Sequence, residues 1–420
     1  MSLAEHSTAV LLLGTCDTKL QELLFLRDQI RDQDSAEVIL VDVGRDNVEH
    51  DAINITQATL VTRHGDGKAT AELPRGEVIK FMAACACRAV KQLFEEGKIH
   101  GVISAGGSGG TSLAAEVMRE VLPIGFPKMI VSTVASGDTG PLVGEADIAM
   151  LYSVVDVAGL NQVLKDILSN AGAAIRGAAK AYASRQSTQH ERTDTSKKRI
   201  GITMFGVTTP GVDGIRKHLE SKYDVEIYVF HATGHGGKAM ERLVRQGELD
   251  AVLDLTTTEI CDLHTGGVMS AGQDRLEAAA QAGIPNIISL GATDMTNFGP
   301  KSTVPEKYKS RKLYEHNPTV TLMRSSADEC RQVGEFIVEK LRSHAKRPEM
   351  VQLWMPLGGV SMIATPGGPF ADKEADSVLF SSVRDGLEGS GIKVVEDKRD
   401  INDEEFAQDI ADALAGLLGL

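Results

Sequence analysis

The feature that most constrains the fold of this chain is a regular alternation of short apolar runs with helical stretches. Most of the runs end in a turn rich in glycine and hydroxyl side chains. The first half contains the runs TAVLLL, EVILVDV, IHGVISAG and KMIVSTV, and the second contains RIGITMF, VEIYVF, LDAVLDLT, PNIISLGA and EMVQLWMP. Strands that alternate with helices imply right-handed crossovers and parallel sheets with helices on both faces. The pattern predicts an α/β protein of two doubly wound, Rossmann-like domains with mainly parallel sheets.

A polar segment near the middle of the chain separates the two halves. Between Arg176 and Arg199 the apolar residues thin out and basic side chains predominate, which is typical of a helix end followed by a solvated linker. We expect an N-terminal domain at residues 1–184, a linker at 185–195 and a C-terminal domain at 196–420. Each domain has an ordinary size.

Composition excludes several classes of protein. The 58 acidic residues against 44 Lys and Arg give a net charge of -14, which argues against a nucleic-acid-binding protein. No apolar stretch approaches the length of a membrane helix, and we expect neither a signal peptide nor a membrane partner. The five cysteines are scattered and lack CxxC spacing. They favour reduced thiols and a cytoplasmic protein.

Ligands of doubly wound sheets bind beyond the carboxyl ends of the strands, so the loops there are the best candidates for ligand-binding residues. The first is residues 14–19, GTCDTK. Phosphate oxygens could meet its backbone and side chains at a helix N-terminus, namely those of Gly14, Thr15, Thr18 and Lys19. Asp17 could hold a magnesium ion or a ribose hydroxyl. A simple helix cap by Asp17 or Thr18 fits the spacing equally well.

The second loop, AGGSGGT at residues 105–111, is the more specific signal. Four glycines in five positions follow a predicted strand and precede a predicted helix. A tight turn needs one or two glycines, whereas a phosphate cradle needs close backbone approach and free N–H groups. The loop predicts a phosphate or other anion site built from Gly106, Gly107, Ser108, Gly109, Gly110 and Thr111.

The third loop, STVASGDTG at residues 132–140, follows the next predicted strand and should lie beside the second. Ser136, Gly137 and Asp138 would close one side of the site, and Asp138 joins Asp17 as a candidate magnesium ligand. The convergence of three such loops makes the N-terminal domain a nucleotide-binding candidate.

The C-terminal domain also carries polar strand ends, at residues 206–211, 231–237 and 255–264. Their hydroxyls, imidazoles and carboxylates would suit a polar small molecule, with Glu259 or His264 as candidate catalytic proton carriers. The alternative is that they are helix caps and internally satisfied polar groups. The stretches 289–300 and 356–369 are expected to be functional loops.

Segments along nearly the whole chain resemble the Tm-one-like ATP-binding domain family, the family of the tomato inhibitor of tobamovirus replication, formerly an uncharacterised protein family. They include GTCDTK, GGSGGTSLAAEVMRE, VSTVASGDTGPLVG, FHATGHGGKAMERL and GATDMTNFGP. The resemblance implies two Rossmann-like subdomains, bound ATP with magnesium, and a homodimer. It gives no role to Cys16 or His235, where relatives commonly carry other residues.

Together these observations predict a cytoplasmic ATP-binding protein whose phosphate sites are the loops 14–19 and 106–111. Two alternatives stay open. The chain could be an ATP-dependent enzyme of the phosphoryl-transfer or ligase type acting on a small metabolite, or a non-enzymatic interaction module regulated by the nucleotide.

Overall fold

The computed structural model describes residues 8–32, 35–68, 70, 73–189 and 197–420, with only the backbone described for 187–189. The chain divides into two compact units, Met1–Thr193 and Asp194–Leu420. The last helix of the first unit continues to Gln189, so residues 185–189 of the predicted linker are helical. Residues 190–195 lie outside the described part of the chain.

The N-terminal unit is a parallel sheet with helices on both faces. Its strands are β1 (Ala9–Gly14), β2 (Glu37–Asp42), β3 (Gly101–Gly106), β4 (Lys128–Ser132) and β5 (Ala149–Tyr152). Its helices are α1 (Cys16–Arg31), α2 (Gln57–His64), α3 (Arg75–Glu95), α4 (Ser108–Val121), α5 (Gly140–Val143) and α6 (Gln162–Gln189). The strand order is β2-β1-β3-β4-β5, and every pairing is parallel.

The core explains why β1 reads as a continuous apolar run. Leu11 and Leu13 pack into one hydrophobic cluster with α3 and α4, whereas Val10 and Leu12 pack into another with α1 and α6. Successive side chains of a strand point to opposite faces, and here both faces are covered by helices. All six residues of β1 are therefore buried.

The C-terminal unit is larger and contains a second sheet type. Its strands are β6 (Lys198–Met204), β7 (Val225–His231), β8 (Ala251–Thr256), β9 (Asn286–Gly291), β10 (Met295–Phe298), β11 (Leu313–Asn317), β12 (Val320–Arg324), β13 (Val351–Pro356) and β14 (Lys393–Asp397). Its helices are α7 (Thr209–Lys222), α8 (His235–Arg245), α9 (Glu259–Thr265), α10 (Ala278–Ala282), α11 (Ala327–His344), α12 (Lys373–Leu387) and α13 (Glu404–Leu418). Six strands form a parallel sheet in the order β14-β13-β9-β8-β6-β7, and β10-β12-β11 form a small antiparallel sheet.

The two parallel sheets share one topology. Numbered along its own unit, each has the strand order 2-1-3-4-5, and the C-terminal sheet adds a sixth strand beside the fifth. This is the flavodoxin-like order of doubly wound folds, in which the first and third strands flank the point where the winding reverses. The predicted fold class, two Rossmann-like α/β domains with mainly parallel sheets, is confirmed. Within the described residues no helix is both long and apolar enough to cross a bilayer.

One segment differs from the sequence prediction. Residues 289–300 were expected to form a loop, but β10 lies within them and is fully buried. The strand was not predicted because it carries polar side chains whose partners are distant in sequence. For example, Asp262 accepts hydrogen bonds from the backbone N–H and the side-chain amide of Asn297. Burial of paired polar groups removes the apolar alternation on which strand prediction depends.

Candidate functional site

A cavity of about 810 Å³ lies at the carboxyl ends of the strands of the N-terminal sheet. Residues from the connections after β1, β2, β3, β4 and β5 all line it, together with the start of α3. Its volume falls within the range of roughly 300–1,000 Å³ found for small-molecule sites. The cavity also includes the point between β1 and β3 at which the winding of the sheet reverses, where doubly wound folds bind their ligands.

The glycine-rich loop after β3 forms one wall of the cavity. Helix α4 begins at Ser108, and its N-cap residue, Gly107, provides no side-chain cap. Ser108, Gly109 and Gly110 line the cavity. The first backbone N–H groups of a helix lack intrahelical partners, and they carry the positive end of the helix dipole. A Cβ atom built on Gly110 would meet no atom within 4 Å, so a ligand can approach the backbone closely here.

The loop after β1 forms the adjacent wall through Thr15, Asp17, Thr18 and Lys19. The Thr15 and Thr18 hydroxyls lie 3.0 Å apart, and the Thr15 side chain does not cap α1. The Lys19 ammonium donates to the carbonyl oxygen of Val157 at 2.5 Å. Lys19 therefore ties α1 to the loop after β5, which is a role its place in the sequence did not reveal.

Asp17 holds the loop after β2 through hydrogen bonds. Its Oδ2 accepts hydrogen bonds from the backbone N–H groups of Arg45 and Asp46, at 2.9 and 3.3 Å. Its Oδ1 is buried and has no hydrogen-bond partner in the described part of the chain. The Cβ position of Gly44 lies 2.6 Å from that oxygen, so a side chain larger than glycine would collide with it. Asp17 thus fixes the β2 loop, and the structure does not present it as an open metal ligand.

Six of the predicted ligand residues do not line the cavity. Thr111 is buried, with its hydroxyl 2.7 Å from that of Ser132, because one turn into a helix the side chain faces the sheet. Asp138 is exposed and accepts the N–H of Gly140 at 3.0 Å. The other four are Gly14, which packs against Leu23, Gly106 at the buried end of β3, and the exposed Ser136 and Gly137.

The cavity includes residues that the sequence did not single out. Arg45 and Asp46 follow β2, Arg75 begins α3, and Tyr152 and Val154 stand at the end of β5. Arg75 is separated from β2 by a long connection that contains α2, so its distance from the strand in sequence did not indicate a place in the cavity. The end of β5 has neither glycine nor a cluster of hydroxyl groups. The short apolar run AMLY was the available signal for Tyr152.

Cys16 lies in the β1 loop but has no nucleophilic character. Burial, first, and the neighbouring Asp42 carboxylate raise the pKa of its thiol far above the usual range. Asp42 accepts hydrogen bonds from the backbone N–H groups of Cys16 and Gly44, at 3.0 and 2.9 Å. Since a thiol needs an ionised sulfur to react, Cys16 is a packing residue.

In the C-terminal unit the corresponding point between β6 and β8 is filled by a buried charge network. Arg275 donates from Nε to Glu259 Oε2 at 2.8 Å and binds both carboxylate oxygens of Asp254. Glu259 Oε1 accepts the backbone N–H groups of Gly234 and Gly237, at 2.7 and 3.1 Å. Glu259 and Arg275 are each 1% exposed. Glu259, a predicted proton carrier, is therefore fully engaged inside the protein.

Comparison with known proteins identifies the chain's family. The model of the N-terminal domain of the uncharacterised protein family UPF0261 matches residues 8–184, and that of the C-terminal domain matches residues 197–418. The chain belongs to the UPF0261 family. The family resemblance read from the sequence is confirmed, because tomato proteins of the Tm-1 type are among the relatives.

Relatives of this UPF0261 chain come from bacteria and a plant. A UPF0261 protein of Clostridium tetani is 44% identical over 97% of this chain and 98% of its own length. One from Mesorhizobium japonicum is 43% identical over 96% of this chain and 97% of its own. The ToMV resistance protein Tm-1(GCR237) of Solanum lycopersicum is 39% identical over 97% of this chain. The match spans 55% of the tomato protein's length.

The remaining predicted site residue of the UPF0261 chain, His264, is not brought to Glu259 as a catalytic partner. His264 is exposed, and its ring packs edge-on against Phe336, with the ring centroids 5.6 Å apart. Partial burial of the ring lowers the pKa of His264. Across the described residues, no three His, Cys, Asp or Glu side chains are grouped so that they could hold a metal ion.

Proposed function

We propose that the N-terminal unit binds ATP, with the phosphate groups at the start of α4. The observation that carries the proposal is the glycine-lined wall of the cavity, where Ser108, Gly109 and Gly110 form an uncapped helix start open to a ligand. Free N–H groups at the positive end of a helix dipole favour phosphate. The adjacent hydroxyls of Thr15 and Thr18 add donors on the same side of the cavity.

Charge supports an anionic ligand at this place. The whole chain carries a net charge of -14, so its overall field repels a triphosphate. The cavity counters that repulsion locally, because Arg45 and Arg75 line it together with the start of α4. A guanidinium group is well suited to phosphate because it offers several N–H donors in a planar fork.

Magnesium would enter with the nucleotide under this proposal. Mg²⁺ usually keeps several water ligands and binds through one or two carboxylates plus substrate phosphates. Asp17 and Asp138, the carboxylates named from the sequence, do not fit, because Oδ2 of Asp17 accepts loop N–H groups, its Oδ1 is buried against Gly44, and Asp138 lies outside the cavity. The exposed Asp46 lines the cavity beside Arg45 and would accompany the ion, which would neutralise phosphate charge there.

The test is calorimetric titration of the full chain with Mg-ATP, carried out on wild type and on Gly110→Leu. A Cβ atom at residue 110 meets no protein atom within 4 Å, and a leucine side chain there would cover the phosphate cradle. The matched control is Gly177→Leu on α6, another helical glycine whose Cβ meets nothing within 4 Å. Replacing a glycine within a helix stabilises it by about 1 kcal/mol, so both variants should fold at least as well as wild type.

We expect saturable Mg-ATP binding by wild type and by Gly177→Leu, and a loss of affinity of at least tenfold for Gly110→Leu. Binding should also raise the melting temperature as the nucleotide concentration increases. Absence of binding by wild type at millimolar Mg-ATP would refute the proposal. Equal affinity of both glycine variants would refute the placement of the phosphates at α4.

A further inference from the structure

The cavity of the N-terminal unit has two chemically different ends. The connections after β2 and β5 lie at opposite edges of the sheet, because the strand order is β2-β1-β3-β4-β5. Neighbouring strands are about 4.8 Å apart, so these ends are separated by about 19 Å. The glycine-rich start of α4 follows the central strand, β3, and lies between them.

The connection from β2 to β3 carries two guanidinium groups that line the cavity. Arg45 follows β2 and stands beside the carboxylates of Asp17 and Asp46, and Arg75 begins α3. The Cβ position of Gly109 lies 3.7 Å from Nη2 of Arg75, so this guanidinium reaches the start of α4. A phosphate chain held by α4 would therefore lie beside the guanidinium group of Arg75.

The β5 end presents apolar surface to the cavity, next to the exposed carboxylate of Asp156. Tyr152 is 40% exposed and Val154 is 59% exposed, although both are large apolar residues, and Val155 lies beside them in the lining. Among the described residues the Tyr152 hydroxyl has no hydrogen-bond partner. An uncovered aromatic ring in a cavity is a stacking platform for a planar ligand such as a nucleobase.

The backbone that carries this surface is strained. Val154 has a φ of 60°, in the left-handed region that β-branched residues rarely adopt. Its neighbours hold it there: the Ser153 hydroxyl donates to the Val155 carbonyl at 2.6 Å, and Lys19 donates to the Val157 carbonyl at 2.5 Å. Such strain persists where the surroundings enforce it, and it is concentrated at ligand clamps.

From these observations we infer the direction of the nucleotide: its base stacks on Tyr152 on the β5 side, and its phosphates lie at the start of α4 beside Arg75, with the terminal phosphate pointing away from β5. The inference rests on the proposed function and adds a specificity residue and an orientation to it. Lys19 is a positioning residue in this arrangement, because it secures the loop that presents Val154 rather than contacting phosphate.

The test compares two ligands, Mg-ATP and inorganic tripolyphosphate, which has the phosphate chain without the base. Tyr152→Ala should weaken ATP binding by about 5- to 150-fold, the range that corresponds to loss of one aromatic–base stack, and leave tripolyphosphate binding within twofold. Tyr152→Phe keeps the ring and should bind ATP within threefold of wild type. Arg75→Ala should weaken the binding of both ligands.

A fluorescence measurement on Tyr152→Trp gives an independent readout. The chain's single natural tryptophan, Trp354, is buried in the C-terminal unit, so an added indole reports on the cavity. ATP should change its emission, and tripolyphosphate should not.

The outcomes separate the two proposals. If wild type binds neither ligand, the proposed function fails. If wild type binds ATP but Tyr152→Ala binds it within twofold, or loses tripolyphosphate to the same extent, the orientation is wrong and the proposed function stands.

Discussion

Replacing Glu259 with alanine tests whether that residue is structural or catalytic. Its sequence context suggested a proton carrier, but the structure places it inside a network with Arg275 and two backbone N–H groups. The structural role predicts a large loss of stability of the C-terminal unit. The catalytic role predicts a folded protein that has lost turnover.

The magnitude follows from the groups left without partners. Glu259→Ala removes the acceptor of three buried hydrogen bonds, from Arg275 Nε and from the backbone N–H groups of Gly234 and Gly237. Asp254 still binds the guanidinium, so the remaining charge stays compensated. Each buried donor left without an acceptor costs about 1–3 kcal/mol. We expect a loss of about 4 kcal/mol, a large share of the roughly 5–15 kcal/mol that stabilises a typical protein.

The assay is urea unfolding followed by tryptophan fluorescence. Trp354, the single tryptophan, lies on β13 and packs against Phe406 in the C-terminal core, so its emission reports on this unit. With a slope of about 2–3 kcal/mol per molar urea, a loss of 4 kcal/mol lowers the midpoint by about 1.3–2 M. The matched control, Glu220→Ala, removes an exposed carboxylate from α7 of the same unit and should change the free energy of unfolding by less than about 0.5 kcal/mol.

The refuting result is a Glu259→Ala protein whose free energy of unfolding lies within 1 kcal/mol of wild type. If that variant also bound ATP normally and lost ATP turnover, Glu259 would be catalytic. In that case the network around Arg275 would contribute little to stability.

Two further predictions concern buried ionisable groups. Burial raises the pKa of Asp294 to about 7, so the folded protein retains a proton that the unfolded carboxyl, with its ordinary pKa of 3.8, has released. Its contribution to stability is complete below about pH 3.8 and is lost as pH rises through 7, by about 1.4 kcal/mol between pH 6 and 8. Asp294→Asn should reduce the pH dependence of urea unfolding by that amount, and an unchanged pH dependence would contradict the assignment. Cys16→Ala should retain Mg-ATP affinity within about threefold, because burial keeps the thiol protonated; a calorimetric loss beyond tenfold would give Cys16 a functional role.

Local signals in the sequence pointed to much of the lining of the N-terminal cavity. The strands before the loops are buried on both faces, so they appear as apolar runs, and Gly107–Gly110 followed one of them as a recognisable cluster. The loop at 14–19 lines the same cavity through Thr15, Asp17, Thr18 and Lys19. What the spacing could not show is the use of each side chain. Asp17 and Lys19 bind partners far along the chain, Arg45 and Val157, and a loop sequence carries no information about such partners.

The C-terminal unit shows why shared topology does not imply a shared site. Both sheets reverse their winding between the first and third strands, and polar loops follow both of those strands in each unit. In the N-terminal unit glycine keeps that place open. In the C-terminal unit Arg275 binds both Asp254 and Glu259, and the three side chains are buried together.

The difference between the two units depends on the pairing of Arg275 with Asp254 and Glu259. Arg275 lies in the segment before α10, far from the strand ends in sequence, and without it the two carboxylates would be uncompensated buried charges. A carboxylate at a strand end is therefore ambiguous when read alone, because it can serve a ligand or an internal guanidinium. A glycine cluster at a strand end is less ambiguous, since glycine has no side chain with which to fill the cavity. The glycine cluster at residues 106–110 is therefore the sequence signal with the firmest physical basis, and the proposed ATP site rests on it.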